Sequence, residues 1–246
     1  MLQLLKTIIR SRRNLFSALS SHNRELVTRV FDEKLTYLSK GKLASLAKTC
    51  LSVEEARLPG IFIEAGCALG GSTIVIASVK DVRRPLRVYD VFGMIPPPTQ
   101  EDTPDVHRRY RAIAGGKSRG IRGDKYYGYR ADLLGIVNSN LKRFGIDCKR
   151  QSVSLVKGLI QDTMTIDQPV AFAHVDVDWY DPVMTCLERI FPKLVLGGTI
   201  ILDDYHCWGG CRKATDRFLQ NVIGQYTMDS SADSMRITRI QSKAIS

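Results

Sequence analysis

The chain has 246 residues, enough for one sizeable α/β core with a short appended segment. At 44% hydrophobic and 25% charged residues it reads as globular. No apolar run reaches the roughly 20 residues of a membrane-spanning helix. The formal charge of +11 is concentrated in the first fifteen residues and in His107 to Arg130. No nucleic-acid motif accompanies it, so a phosphorylated or otherwise anionic substrate accounts for it equally well and nucleic acid is disfavoured.

Residues 1–58 show helical periodicity only, as in Leu26, Val30 and Phe31 or Leu43, Leu46 and Ala47. They are expected to form a helical N-terminal extension that packs on the main domain, residues 59–246, or covers its mouth. Lys6, Arg10, Arg12 and Arg13 interrupt the opening run too soon for a secretory signal. That stretch reads as a surface helix, or as a basic amphipathic one touching a membrane or a partner subunit. Six cysteines without framework spacing point to a reducing cytoplasm. His206, Cys207 and Cys211 lack a fourth ligand for zinc.

Ile61 to Ala65 reads as a buried strand running into the glycine turn Gly66-Cys-Ala-Leu-Gly-Gly-Ser-Thr73 and an apolar helix. Along such a turn (Ala65, Gly66, Gly70, Ser72, Thr73) backbone amides can approach a nucleotide-like ligand. Ala68 stands where a dinucleotide turn has its second glycine, which disfavours a pyrophosphate. Glu64 just upstream offers a negative charge to a cation. A phosphate-free ligand with a positive centre, S-adenosylmethionine, meets both conditions. Asp90, ending the strand Arg87 to Asp90, lies at the spacing from the turn at which a carboxylate grips ribose hydroxyls. Residues 93–130 read as a long irregular lid, basic and aromatic. Gly116-Lys-Ser118 is no P-loop, because Arg111 replaces its first glycine and no strand precedes it. After a helix over 131–144, the strand Ser152 to Gly158 leads into Gly158 to Asp162, placed to flank an adenine ring.

Two apolar strands then stop at carboxylates, His174-Val-Asp-Val-Asp178 and Ile200-Ile-Leu-Asp-Asp204, with a helix between them. Strand, crossover helix, strand is the pattern of parallel neighbours whose carboxyl ends share one edge. Up to four acids should gather there. Charges about 4 Å apart repel by roughly 4 kcal/mol near a protein surface, so the cluster needs a cation. All-oxygen donors suit Mg2+, or Mn2+ or Ca2+; the competing reading is that Arg212 and Lys213 neutralise it. Asp181, before Pro182, reads as a helix cap, and His174 as a core histidine. Trp179 and Tyr180 read as a sugar-ring wall or as core. The tail, Gln225 to Met228 and Met235 to Ile240, reads as an antiparallel hairpin.

Taken in order, Phe62-Ile-Glu-Ala-Gly-Cys-Ala-Leu-Gly-Gly-Ser72, Val88-Tyr-Asp-Val-Phe-Gly93, Lys157-Gly-Leu-Ile-Gln-Asp-Thr163, His174-Val-Asp-Val-Asp-Trp-Tyr180, Pro192-Lys-Leu-Val-Leu-Gly-Gly198, Leu202-Asp-Asp-Tyr205 and Cys211-Arg-Lys-Ala214 resemble the class I S-adenosylmethionine-dependent methyltransferases. More narrowly they resemble the macrocin O-methyltransferase family. The resemblance implies a Rossmann-like, seven-stranded, mostly parallel sheet with an antiparallel last strand, and frequent homo-oligomers. It implies Mg2+-dependent methylation of a hydroxyl on a sugar, glycoside or related diol. Asp176, Asp203 and Asp204 would hold the metal; Glu64, Gly66, Asp90 and Asp162 would line the cofactor pocket. Asp176 or His206 would act as general base. The basic lid and His206 depart from the family pattern. Asp176-x-Asp178 also resembles the DxD signature of metal-dependent glycosyltransferases, the competing enzyme reading, and a non-enzymatic anion or nucleic-acid binder is the third.

Overall fold

The computed structural model describes residues 16–230 and 233–241. The basic opening segment therefore lies outside the described residues. Among the described residues, α1 (Ser21–Asp32) and α2 (Lys40–Glu55) precede the sheet, each started by a serine. Ser20 Oγ accepts from the Asn23 amide, and Ser39 Oγ from the Lys42 amide, satisfying donors that a helix start leaves open. Then follow β1 (Ile61–Ala65), α3 (Gly71–Val79), β2 (Leu86–Asp90), α4 (Pro104–Ala114), α5 (Leu133–Arg143), β3 (Val153–Lys157) and the single turn α6 (Ile160–Thr163). The chain continues through β4 (Val170–Val175), α7 (Tyr180–Ile190), β5 (Leu194–Leu202), α8 (Gly209–Gln220), β6 (Tyr226–Asp229) and β7 (Met235–Arg239).

The seven strands form one sheet in the order β3-β2-β1-β4-β5-β7-β6. All pairings are parallel except those of β7, which runs antiparallel between β5 and β6. The hairpin read in the tail is this β6–β7 pair.

Side chains alternate across the central strands, and each face has its own core. Phe62, Val88, Phe172 and Ile201 meet Leu43, Leu46, Val75 and Val137 of α2, α3 and α5 on one face. Ile63, Ala173, Val175 and Ile200 meet Val183, Leu187, Cys211 and Phe218 on the other. The N-terminal helices thus share the main core rather than forming a unit of their own. They also cover the glycine turn: the Gly71 amide donates to Leu35 O at 3.0 Å, and a side chain at Gly71 would lie 2.6 Å from that oxygen.

The segment 93–130 is not irregular throughout, as its glycines and prolines suggested. It contains α4, started by Thr103-Pro104, with Val106, Tyr110 and Ile113 on one face. Those residues build a third small core with Ile95, Tyr126 and Trp179. The segment is docked by its acids. Asp102 Oδ1 accepts the Tyr180 amide at the start of α7 (2.8 Å), and Asp105 Oδ2 the Gly209 amide at the start of α8 (3.1 Å). Asp181, read as the cap of α7, lies instead within its first turn, and the cap is supplied by Asp102.

Candidate active site

The parallel strands β1, β4 and β5 end on one rung and β3 one rung later, all at the same sheet edge. The ladder continues one residue past each of them: Asp176 N to Ala65 O (2.8 Å), Asp203 N to Val175 O (3.0 Å), Gly66 N to Tyr89 O (2.8 Å) and Gly158 N to Asp90 O (3.0 Å). Past these rungs the backbones leave the sheet and expose their side chains at a single edge. Gly66 has φ +81°, and a Cβ there would sit 1.9 Å from Asp176 O. Only glycine lets the turn pass so close to the acidic strand.

One carboxylate oxygen from each of Asp176, Asp203 and Asp204 falls within 4.8 Å of the others. Asp178, in the left-handed region at φ +57°, folds back so that its amide faces Asp204 Oδ2 at 3.3 Å. Burial, then the neighbouring acids, push the Asp176 carboxyl well up; burial and Asp204 do the same to Asp178. Asp204 is raised to about 6 by burial and by Asp203. Neither Arg212 nor Lys213 neutralises the cluster. Arg212 donates to the carbonyls of Tyr205 and His206, and Lys213 reaches Glu101. The cation is Lys42 of α2, whose Nζ lies 2.9 Å from Asp203 Oδ2 and 3.1 Å from Asp203 O. Burial pulls the Lys42 ammonium down, but Asp203 outweighs it and the net shift is upward. Asp203 Oδ1 accepts from Ser234 Oγ at 2.9 Å.

Lys42 pairs with Asp203 alone and Arg109 acts on Asp178 only from a distance, so the crowded acids hold their protons more tightly than usual. The donor set is all oxygen, with lone pairs remaining on every carboxylate. A hard divalent ion fits that chemistry, and Asp176, Asp203 and Asp204 are the residues positioned to hold it.

Two cavities meet at this edge. One, about 680 Å³ with its open mouth included, is largely apolar and runs between Val91, Ile95, Pro96, Leu159 and Ile160, with Asp90 at its side. The other runs over the acids and is walled by Tyr37, Lys42, Arg109, Tyr126, Cys207 and Trp208. Gly66, Asp90, Tyr127, Asp176, Asp178 and Trp179 border both. Trp179 is buried in the lid core, its Nε1 donating to Pro96 O at 3.0 Å. Tyr180 belongs to the second core, its hydroxyl accepting from Arg217.

Of the residues expected at the cofactor site, Gly66, Asp90 and Asp176 line the cavities. Asp90 holds the turn as well: Oδ2 accepts the Cys67 amide (2.8 Å) and Oδ1 the Phe92 amide (2.7 Å). Glu64, Ala65, Gly70, Ser72, Thr73, Gly158 and Asp162 line neither cavity. Glu64 leaves β1 on the same face as Phe62 and is fully buried. There it accepts from Thr73 Oγ1 and faces His174 Nδ1 at 3.2 Å, bracing α3 rather than meeting a ligand. His174 Nε2 has no hydrogen-bond partner among the described residues. Asp162 is exposed on α6, and the neighbours Leu159, Ile160 and Gln161 line the cavity in its place. His206 is exposed, stacked edge-on against Tyr205, and outside both cavities. Lys42, Tyr37 and Arg109 had no sequence signal beyond basic or aromatic character.

This strand order, with the glycine turn after β1 and acids after β4 and β5, is the Rossmann-like architecture of class I S-adenosylmethionine-dependent methyltransferases. A similar fold is seen in the O-methyltransferase NovP (TM-score 0.68, 21% identity, 84% of this chain and 83% of that one). The macrocin-O-methyltransferase (TylF) family matches residues 9–228, and the chain belongs to that family. It is 28% identical over 194 residues to the mycinamicin III 3''-O-methyltransferase of Micromonospora griseorubida, covering 74% of this chain and 69% of that protein. It is also 29% identical over 163 residues to the 8-demethyl-8-(2,3-dimethoxy-alpha-L-rhamnosyl)-tetracenomycin-C 4'-O-methyltransferase of Streptomyces olivaceus. That match spans 64% of this chain but only 57% of the relative's length. The family replaces the glycosyltransferase reading of Asp176-x-Asp178.

Proposed function

We propose that the protein is an S-adenosylmethionine-dependent O-methyltransferase acting on a hydroxyl of a sugar or glycoside, with a divalent ion held by Asp176, Asp203 and Asp204. The observation that carries this reading is the wall shared by the two cavities: an apolar slot beside Asp90 suits an adenosyl group, and an aromatic cavity over the acids suits a glycosyl ring. The name of the Streptomyces olivaceus relative places the methylated group on a rhamnosyl compound, and that of the Micromonospora griseorubida relative names a 3''-O-methyl transfer to mycinamicin III.

When bound, a divalent ion held by Asp176, Asp203 and Asp204 would supply Lewis acidity at the acceptor end of the site. The rest is done by the chain. Asp90 and the Gly66 turn orient the donor, so that its methyl points through the shared wall. Asp176, on that wall, accepts the hydroxyl proton at a carboxylate oxygen. Lys42 holds Asp203 in place, and the lid core around Trp179 excludes water. Holding donor and acceptor in line accounts for roughly 7–11 kcal/mol of the barrier. His206, outside both cavities, is given no part.

Incubation with methyl-labelled S-adenosylmethionine and a panel of glycosides, with and without chelator, tests this. Label should pass to a glycoside, stop with chelator and return with Mg2+. Transfer undiminished by chelator removes the ion from the mechanism; failure to bind S-adenosylhomocysteine removes the function.

A further inference from the structure

The lid carries eight Arg and Lys between His107 and Arg130 against one acid, Asp124. Most have a visible task or face solvent. Arg122 donates to Phe31 O and lies over its ring, while Asp124 is taken by Lys34. Two do not. Arg109, on the cavity side of α4, walls the cavity over the acids with its guanidinium 5.8 Å from the centre of the Tyr126 ring. Arg130 keeps its Nε buried without a partner. Among the described residues neither guanidinium makes a hydrogen bond or an ion pair within 4 Å, although the acid cluster borders the cavity that Arg109 walls. Arg130 does not line that cavity, but both guanidinium groups lie within electrostatic reach of the Tyr37 hydroxyl. Tyr37, Tyr127 and Tyr126 link them in an aromatic arc, with ring centres 5.9 Å and 4.5 Å apart.

A guanidinium buried in part beside aromatic rings, with its planar fork unused, matches carboxylate and phosphate geometry. Arg109 acts on Asp178 only at a distance, with no ion pair within 4 Å, and it is Lys42 that holds Asp203 at 2.9 Å, so the fork of Arg109 stays free. Resting on the function proposed above, we propose that the acceptor is an anionic sugar, its phosphate or carboxylate gripped by Arg109 with Arg130 beside it. The aromatic arc then supports the ring, and the hydroxyl to be methylated points to the acids across the same cavity.

Calorimetric titration in the presence of S-adenosylhomocysteine and Mg2+ tests this on the wild-type protein, Arg109→Gln, Arg109→Lys and Arg130→Gln. The probes are glucose 1-phosphate, a nucleoside-diphosphate glucose, glucuronate and neutral methyl glucoside. The phosphate and uronate arms separate the two sources of charge. An anionic probe should bind tenfold to a hundredfold more tightly than the neutral one. Arg109→Gln should erase the advantage, Arg109→Lys restore part of it, and Arg130→Gln reduce it. S-adenosylhomocysteine affinity should stay unchanged. The proposal is overturned if no anion is preferred, if the preference survives Arg109→Gln, or if the donor's affinity falls instead, which assigns the fork to the donor's own carboxylate. Loss of methyl transfer with anion binding intact strikes the proposed reaction alone.

Discussion

Lys42 and Asp203 stand 161 residues apart in the chain, yet the lysine Nζ touches both the carboxylate and the carbonyl of the aspartate. Ser39 caps α2 through the Lys42 amide, so the start of that helix is fixed at the residue that reaches the site. Both partners are largely buried, with side-chain exposures of 13% and 10%. Breaking such a pair from one side leaves an uncompensated charge. Lys42→Met should cost about 3 kcal/mol at neutral pH. Denaturant unfolding of the metal-free protein measures it, and equality with wild type would remove the pair from the stability of the fold.

Stability of the metal-free protein should depend on pH through the acids. Asp176, Asp178 and Asp204 all titrate above their usual range when folded, Asp204 at about 6. A raised carboxyl binds its proton more tightly in the folded state, so its contribution is fully present below about pH 4. It is lost as pH rises through about 6 and beyond. Melting temperature without metal should therefore fall from pH 5 to pH 7.5, and Mg2+ should offset the fall at the upper end only. A flat profile in both series would mean that the acids are not crowded as described.

Asp204→Asn should separate stability from chemistry. Removing one of the crowded acids, ionised at pH 7.5, relieves repulsion worth roughly 4 kcal/mol at most for a close charged pair. The variant should melt at or above the wild-type temperature at pH 7.5 without metal. It should also lose the stabilisation by Mg2+ and drop methyl transfer by a hundredfold or more, in line with loss of an electrostatic group at the reacting centre. Calorimetry with Mg2+ and a transfer assay on the same preparation check both halves.

The lid should be fastened by its acids. Asp102→Ala removes the acceptors of the Tyr180 and Thr99 amides and should cost about 1 kcal/mol. The observable is local: protease cleavage within residues 93–130 should accelerate, while denaturant unfolding of the whole moves little.

Gly66→Ala should be among the most damaging single changes. A positive φ and a backbone oxygen 1.9 Å from the new methyl act together, and no side-chain rotation relieves the contact. Loss of S-adenosylhomocysteine binding, read by calorimetry, is expected even if the variant is recovered folded.

Much of this arrangement was legible in the chain. The apolar runs ending at Asp176 and Asp203, with α7 between them, gave parallel neighbours and a shared acidic edge because strand direction and crossover length leave little choice. The turn at Gly66 and the tail hairpin were equally local. What escaped depended on contacts between distant segments. Glu64 looked available to a ligand, since nothing near it announces that Thr73 and His174 close over it. Lys42 sits in an ordinary basic helix, and only packing of α2 over the sheet shows its partner. The helix α4 was different: Thr103-Pro104 and the spacing of Val106, Tyr110 and Ile113 were visible, and the surrounding glycines and prolines outweighed them.

Ser234, just ahead of β7, gives its hydroxyl to Asp203, while Lys42 belongs to α2. Opposite ends of the polypeptide therefore clasp one aspartate. A version cut short ahead of Ser234 would keep the acids with Asp203 held by Lys42 and not by the hydroxyl.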